Sequence, residues 1–314
     1  MPFIDFERIG RIAEVIRSAD LSSYRFDIYD SRYYPPRDEP LDKVLMYFLV
    51  MVAMDHRLSR PGRAYEAVID GERVKGADLL YRLGMKMFRE GPEFFTPQRL
   101  ANVTGEDVLR WLSIGTASPP DPDLRAFLLR DLGQKILRLF DGDPLKVLEL
   151  SGNRIRGFNT YGLVDLLKVF KAYQDPVEKK PYLLIKFLIY RGLFKPVDPE
   201  NLHVPVDNHL TRTAIRLGIV RLEDELFKKV LNGVEVTHDE DVTIRMSVRE
   251  AYKALSRESN VDALLLDDFL WTFGRKVCLQ DNPRCEQCIF RNVCRAYESK
   301  VFAPDLNYYN TWYY

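Results

Sequence analysis

The chain lacks the long hydrophobic runs that would place it in a membrane. Its longest apolar stretch, Val44–Met54 (VLMYFLVMVAM), has eleven residues, about half of what a spanning helix needs. It reads as a buried core helix. The opening residues, MPFIDFERIGRIAEV, have no basic segment followed by an apolar one, so no secretory signal is expected. A soluble, cytoplasmic protein with no membrane partner follows as the expectation. Net charge is missing too: 46 Lys+Arg balance 46 Asp+Glu, which argues against a binder that grips nucleic acid by bulk electrostatics alone. A local basic face stays open. Histidine is scarce, and His56, His203 and His238 show no metal-ligand spacing. No internal repeat or low-complexity segment appears.

Cysteine is scarcest in distribution. Only four are present, Cys278, Cys285, Cys288 and Cys294, all in one stretch with the spacing C-x6-C-x2-C-x5-C. In a cytosolic chain such a cluster is a metal site rather than a disulfide framework. Zinc sites commonly show two close knuckles. Here there is one close pair with wider gaps on either side, a pattern that favours a cubane with one cysteine per iron. On ligand chemistry alone both remain open. The flanking residues add more. Gly274-Arg275-Lys276-Val277-Cys278, Pro283-Arg284-Cys285-Glu286-Gln287-Cys288-Ile289 and Val293-Cys294 resemble the iron–sulfur loop of the endonuclease III group of helix-hairpin-helix DNA glycosylases. The resemblance implies a [4Fe-4S] cluster with a mainly structural role. Arg275, Lys276, Arg284, Arg291 and Arg295 would offset its negative charge or touch phosphate; a solvated loop surface is the plainer role for each.

Elsewhere 3.6-residue apolar periodicity dominates. Helices are expected near 4–18, 41–57, 76–89, 97–101, 105–112, 122–139, 144–150, 160–172, 178–191, 208–217, 221–231, 247–257 and 262–274. Asp-Pro recurs as helix-start punctuation at 121–122, 143–144, 175–176 and 198–199, because proline at the first helical position lacks an N–H that would be orphaned anyway. The one strand candidate is Val234–Thr237, paired near Thr243. Ser113–Pro122 reads as a lobe crossing. The aromatic segment Asn307–Tyr314 docks on the body or stacks on bases. The expectation is an all-α, two-lobed glycosylase-like fold with the active cleft between lobes. Its parts would be an N-terminal lobe (1–118), a lobe with a degenerate hairpin and the catalytic aspartate (119–260), a helix plus cluster loop (261–300) and an aromatic tail (301–314).

Val204-Pro-Val-Asp207-Asn-His209, running on through Arg212 to Arg216-Leu217-Gly218, resembles the segment that carries the catalytic aspartate in helix-hairpin-helix glycosylases. It implies that Asp207 stabilises an oxocarbenium-like sugar as the base departs. Asn208, His209 and Arg212, together with Tyr173, become candidates for substrate contact. The plain role of Asp207 is an N-cap, and one residue can do both. A local hydrogen bond is the plain role of His209. Phe170 and Trp271 are further stacking candidates, with core packing as the simpler role.

The family's glycine-rich hairpin, whose amides grip a DNA phosphate, has no counterpart in Tyr173-Gln-Asp-Pro-Val-Glu-Lys-Lys180-Pro-Tyr182. A turn without glycine is expected to avoid positive φ. Lys179 and Lys180 are candidates for a Schiff-base nucleophile, Lys180 lying nearer the family position; an exposed helix lysine is the plain alternative. Such a role would need burial to lower the amine's pKa. Asp55-His56, following the apolar helix, is a further candidate for the pocket. A second resemblance, spread over Thr104–Leu112, Phe140-Asp-Gly142, Gly152-Asn153, Phe170–Asp175, Lys179–Lys180 and Asp207–Leu217, is to the queuosine salvage N-glycosylases. That family lacks the cysteine loop. The expected function is a base-excision DNA glycosylase, a monomer acting on duplex DNA, with AP lyase activity if Lys180 acts. The alternatives are an N-glycosylase of a modified nucleotide and a non-catalytic iron–sulfur nucleic-acid binder.

Overall fold

Helices supply nearly all the regular structure, because the apolar periodicity and the caps agree along most of the chain. A computed structural model describes residues 1–60 and 62–314. They form two compact units, one of residues 1–26 and 202–311, the other of 27–201 and 312–314. This differs from the division expected at 118, 260 and 300. Ser113–Pro122 is not a crossing: it lies inside the second unit, where Ile114 and Ala117 form an isolated antiparallel bridge. The reason is packing, since the N-terminal helix Phe6–Ser18 buries Ile9, Ile12, Ala13 and Ile16 against helix His238–Ser259.

In the first unit, helix Asn208–Leu217 is packed by helices His238–Ser259 and Ala263–Lys276. Its core joins Val206, Leu210 and Ala214 to Ile244, Val248, Tyr252, Leu266, Leu270 and Phe273. Phe3–Ile4 pairs antiparallel with Val220–Arg221, in the register Phe3↔Arg221 and Ile4↔Val220. The expected strand Val234–Thr237 is not one. Thr237 caps helix His238–Ser259 in a capping box with Glu240, and the Val236 N–H donates to Asn307 O at 2.9 Å. That reciprocal cap starts the helix nine residues ahead of the expected position, 247.

The second unit is built on helix Leu41–Met54, in which every residue from Val44 to Met54 is buried. Helices Ala77–Glu90, Pro122–Leu139 and Lys179–Arg191 pack against it. An apolar surface all round requires such enclosure, at about 1.5–3 kcal/mol for each large side chain taken from water. One hairpin, Glu66–Ile69 with Glu72–Lys75, was not expected. Its two-residue turn, Asp70-Gly71, takes φ of 53° and 80°, the left-handed pair that a tight hairpin requires and Asp-Gly supplies. Trp312–Tyr314 docks here, with Trp312 Nε1 donating to Lys171 O at 3.2 Å and Arg57 N–H donating to Tyr314 O at 2.6 Å.

Candidate active site

In the first unit Asp207 is the N-cap of helix Asn208–Leu217, and its Oδ1 accepts the Leu210 N–H at 2.8 Å. The side chain is part-buried. Oδ2 has no protein partner among the described residues. One oxygen therefore fixes the carboxylate's direction while the other stays available.

The neighbouring candidates are occupied internally. Asn208 Oδ1 accepts from Arg245 Nη2 at 2.7 Å, and Arg245 also binds Asp241 at 2.8 Å. Arg212 is 1% exposed. It donates to Gly274 O at 2.7 Å and to Cys278 O at 3.0 Å, pairs with Asp305, and meets His209 Nδ1 at 3.3 Å. The substrate role expected for Arg212 is corrected: its donors tie the aspartate's helix to the cysteine loop. His209 has the local contact that was its plain role, and its Cβ lies against Gly274. Tyr173 is also corrected. It is wholly buried in the second unit and donates to Leu49 O at 2.7 Å. Phe170 is buried beside it. Trp271 packs against the core of the first unit under the Arg275 guanidinium.

The four thiols are all free and line one cavity in the first unit with Arg216, Phe273, Val277, Pro283, Arg284 and Phe302. Arg216 is buried. It donates to Leu279 O at 2.6 Å, Gln280 O at 2.7 Å and Ala303 O at 2.7 Å, and lies 3.6 Å from Cys278 Sγ. Burial pushes the Cys288 thiol up to about 12, with the neighbouring thiols adding to the rise. An electron-poor centre among the sulfurs would reverse that cost. No three of the described His, Cys, Asp and Glu side chains are grouped to hold a single metal ion.

In the second unit the degenerate hairpin adopts a positive φ after all. Glu178, with φ 61°, takes the left-handed position and precedes helix Lys179–Arg191. Its carboxylate is held by Arg156 and by Lys168 at 2.8 Å, which offsets a strain of about 1 kcal/mol. The amides of Lys179 and Lys180 donate to the Asp175 carboxylate at 2.6 and 3.2 Å. An internal carboxylate thus fills the anion nest that a phosphate would otherwise occupy. Asp175 is buried, which pushes its carboxyl up to about 6. In the sequence, Asp175 reads as helix punctuation ahead of Pro176.

Lys179 and Lys180 are not surface lysines. Lys179 Nζ donates to Asp55 O at 2.7 Å and pairs with the Asp55 carboxylate at 3.2 Å. Lys180 is wholly buried; Nζ donates to Ala53 O at 2.8 Å and Trp312 O at 2.7 Å and lies 3.3 Å from His56 Nδ1. With Arg125, whose Nη1 donates to Met54 O at 2.8 Å, these basic groups gather at the negative end of helix Leu41–Met54. Burial, then the Lys179 charge, holds the Lys180 amine well below its ordinary value.

Residues 184–302 match the family model described as AGOG, N-glycosylase/DNA lyase. That span includes Asp207 and the four cysteines and begins after Lys180. Endonuclease III of Thermotoga maritima is 23% identical over 204 residues, covering 55% of this chain and 95% of that protein. Among solved structures, a trapped endonuclease III–DNA covalent intermediate with an estranged adenine is similar with a TM-score of 0.53. Its identity is 14%, and the match covers 93% of this chain and 98% of that one. No helix among the described residues is long and apolar enough to cross a membrane. Over residues 184–302 the chain is similar to the AGOG N-glycosylase/DNA lyase family, and in sequence and fold it is similar to endonuclease III.

Proposed function

We propose that the protein is a DNA N-glycosylase that releases a damaged or mispaired base from duplex DNA, followed by an AP lyase step carried by Lys180. The observation that supports the lyase step is the state of Lys180. A lysine nucleophile must be uncharged, and burial among other cations is the means by which proteins lower an amine's pKa. Attack on C1′ needs Nζ to leave Trp312 O, since the amine is closed off as it stands.

In the proposed sequence the bond from C1′ to the base breaks, and the base leaves with the bonding pair and gains a proton. The free oxygen of Asp207 stabilises the positive charge that grows on the sugar. The Lys180 amine bonds to C1′ and loses a proton, the C1′–O4′ bond breaks with O4′ taking the bonding pair and a proton, and an imine to the enzyme results; loss of a C2′ proton then expels the 3′ phosphate from C3′. The four thiols and the buried Arg216 fit a [4Fe-4S] cluster held by Cys278, Cys285, Cys288 and Cys294. When bound, the cluster would tie the turns of the cysteine loop to one another and take no part in the sugar chemistry.

The test is excision from duplexes carrying single damaged bases, run across a salt series. Binding should weaken with salt, log K falling by about 0.9 per log unit for each phosphate contacted. Excision from a free nucleoside monophosphate without excision from duplex would overturn the proposal.

A further inference from the structure

His56 follows helix Leu41–Met54 and is 5% exposed. Its Nδ1 lies 3.3 Å from Lys180 Nζ, and its Nε2 is buried with no hydrogen-bond partner among the described residues. Counting donors around Nζ separates two arrangements. A free amine has two N–H groups and one lone pair. Ala53 O and Trp312 O take the two hydrogens, and Nδ1–H of a neutral imidazole donates to the lone pair. Only a lone pair on Nε2 then goes unmatched. An ammonium has three N–H groups, and the third must point at an Nδ1 lone pair. The ring proton then sits on Nε2, leaving a buried N–H orphaned, and an added cation stands beside Arg125 and Lys179. Orphaned buried donors are rarer than under-used acceptors.

We propose that His56 is a positioning residue that holds Lys180 as a free amine by donating Nδ1–H to the Nζ lone pair. The inference rests on reading Lys180 as the imine-forming nucleophile. The charged groups facing the pair are Arg125, Lys179, Asp55 and Asp175. Lys179 is matched by Asp55 and Asp175 by the two hairpin amides. Among the described residues Arg125 donates only to backbone carbonyls: Pro120, Met54, His56 and Arg57. With no carboxylate bonded to it among them, its charge opposes a proton on either partner. Burial, followed by the Arg125 charge, also holds the His56 imidazole well below its ordinary value, so the ring stays neutral and able to donate one hydrogen.

The experiment is an NMR titration of the full chain carrying ε-13C-lysine, with the Lys180 signal assigned by its loss in K180Q. Wild type should show one lysine titrating below the ordinary range. In H56E a carboxylate faces Nζ, and the midpoint should rise by at least about one pH unit, a tenfold loss of free amine at a given pH. H56Q, whose amide can donate from a similar place, should keep a midpoint near wild type, and its thermal unfolding shows whether the fold is intact. Borohydride trapping on abasic duplex should show an acid limb that moves with the midpoint. A Lys180 that titrates with the other lysines in wild type, or a midpoint unmoved in H56E, overturns the proposal. Midpoints that move as described without a trapped adduct in any variant would overturn Lys180 as the nucleophile and uphold the His56 contact.

Discussion

Replacing Asp207 separates the cap from the proposed catalytic role, because the cap uses one carboxylate oxygen and leaves the other for the proposed chemistry. Oδ1 caps helix Asn208–Leu217 through the Leu210 N–H, and Oδ2 carries the proposed stabilisation of the sugar. Asparagine keeps an oxygen for the cap, so Asp207→Asn should change stability by no more than a few tenths of a kcal/mol. Alanine removes the cap and should cost about 1 kcal/mol, lowering Tm by roughly 2–4 °C in a chain of this size. Both substitutions remove the negative charge, and both should slow base excision by about 10²–10³-fold, the usual scale for a lost electrostatic contact to the transition state. The assay is single-turnover excision from a damaged duplex beside thermal unfolding by circular dichroism. An Asp207→Asn variant that excises at the wild-type rate would refute the catalytic role and leave Asp207 a cap alone. Equal stability losses in both variants would refute the division between the oxygens.

Three further outcomes follow from the geometry. Arg216→Met strands the carbonyls of Leu279, Gln280 and Ala303 and should destabilise the chain by about 3–5 kcal/mol; it should also lower iron content per chain, read by thermal unfolding and iron analysis. Trp312→Gly should loosen the segment that closes over Lys180 and raise the rate of borohydride trapping on abasic DNA, read by gel shift. Lys180 binds fewer protons folded than unfolded between its depressed value and the ordinary lysine value near 10.4, so its contribution to stability should rise with pH across that window. The Tm of wild type relative to Lys180→Met should therefore increase from neutral pH toward pH 10.

Much of this was legible in the sequence because local and tertiary preferences agree. Helices Gly105–Leu112, Pro122–Leu139 and Asn208–Leu217 have the expected bounds, each marked by a cap or proline and by an apolar stripe. Val234–Thr237 misled because alternating β-branched residues outweighed the Thr237-x-x-Glu240 capping box that the chain uses. The Asp70-Gly71 hairpin carried a plain turn signal that went unread. Lys180 was harder to place. Its acceptors, Ala53 O and Trp312 O, are 127 and 132 residues away in sequence, and a Lys-Lys-Pro run gives no local sign of burial. The want of glycine argues against positive φ in this turn, yet Glu178 takes it, with its carboxylate paired to Arg156 and Lys168.

Trapping with borohydride on a duplex containing a damaged base, followed by digestion and mass mapping of the adduct, tests the proposed chemistry most directly. The expected result is one covalent adduct on the peptide bearing Lys180, absent in Lys180→Gln. An adduct on another residue, or base release at the wild-type rate with no adduct formed, would contradict it.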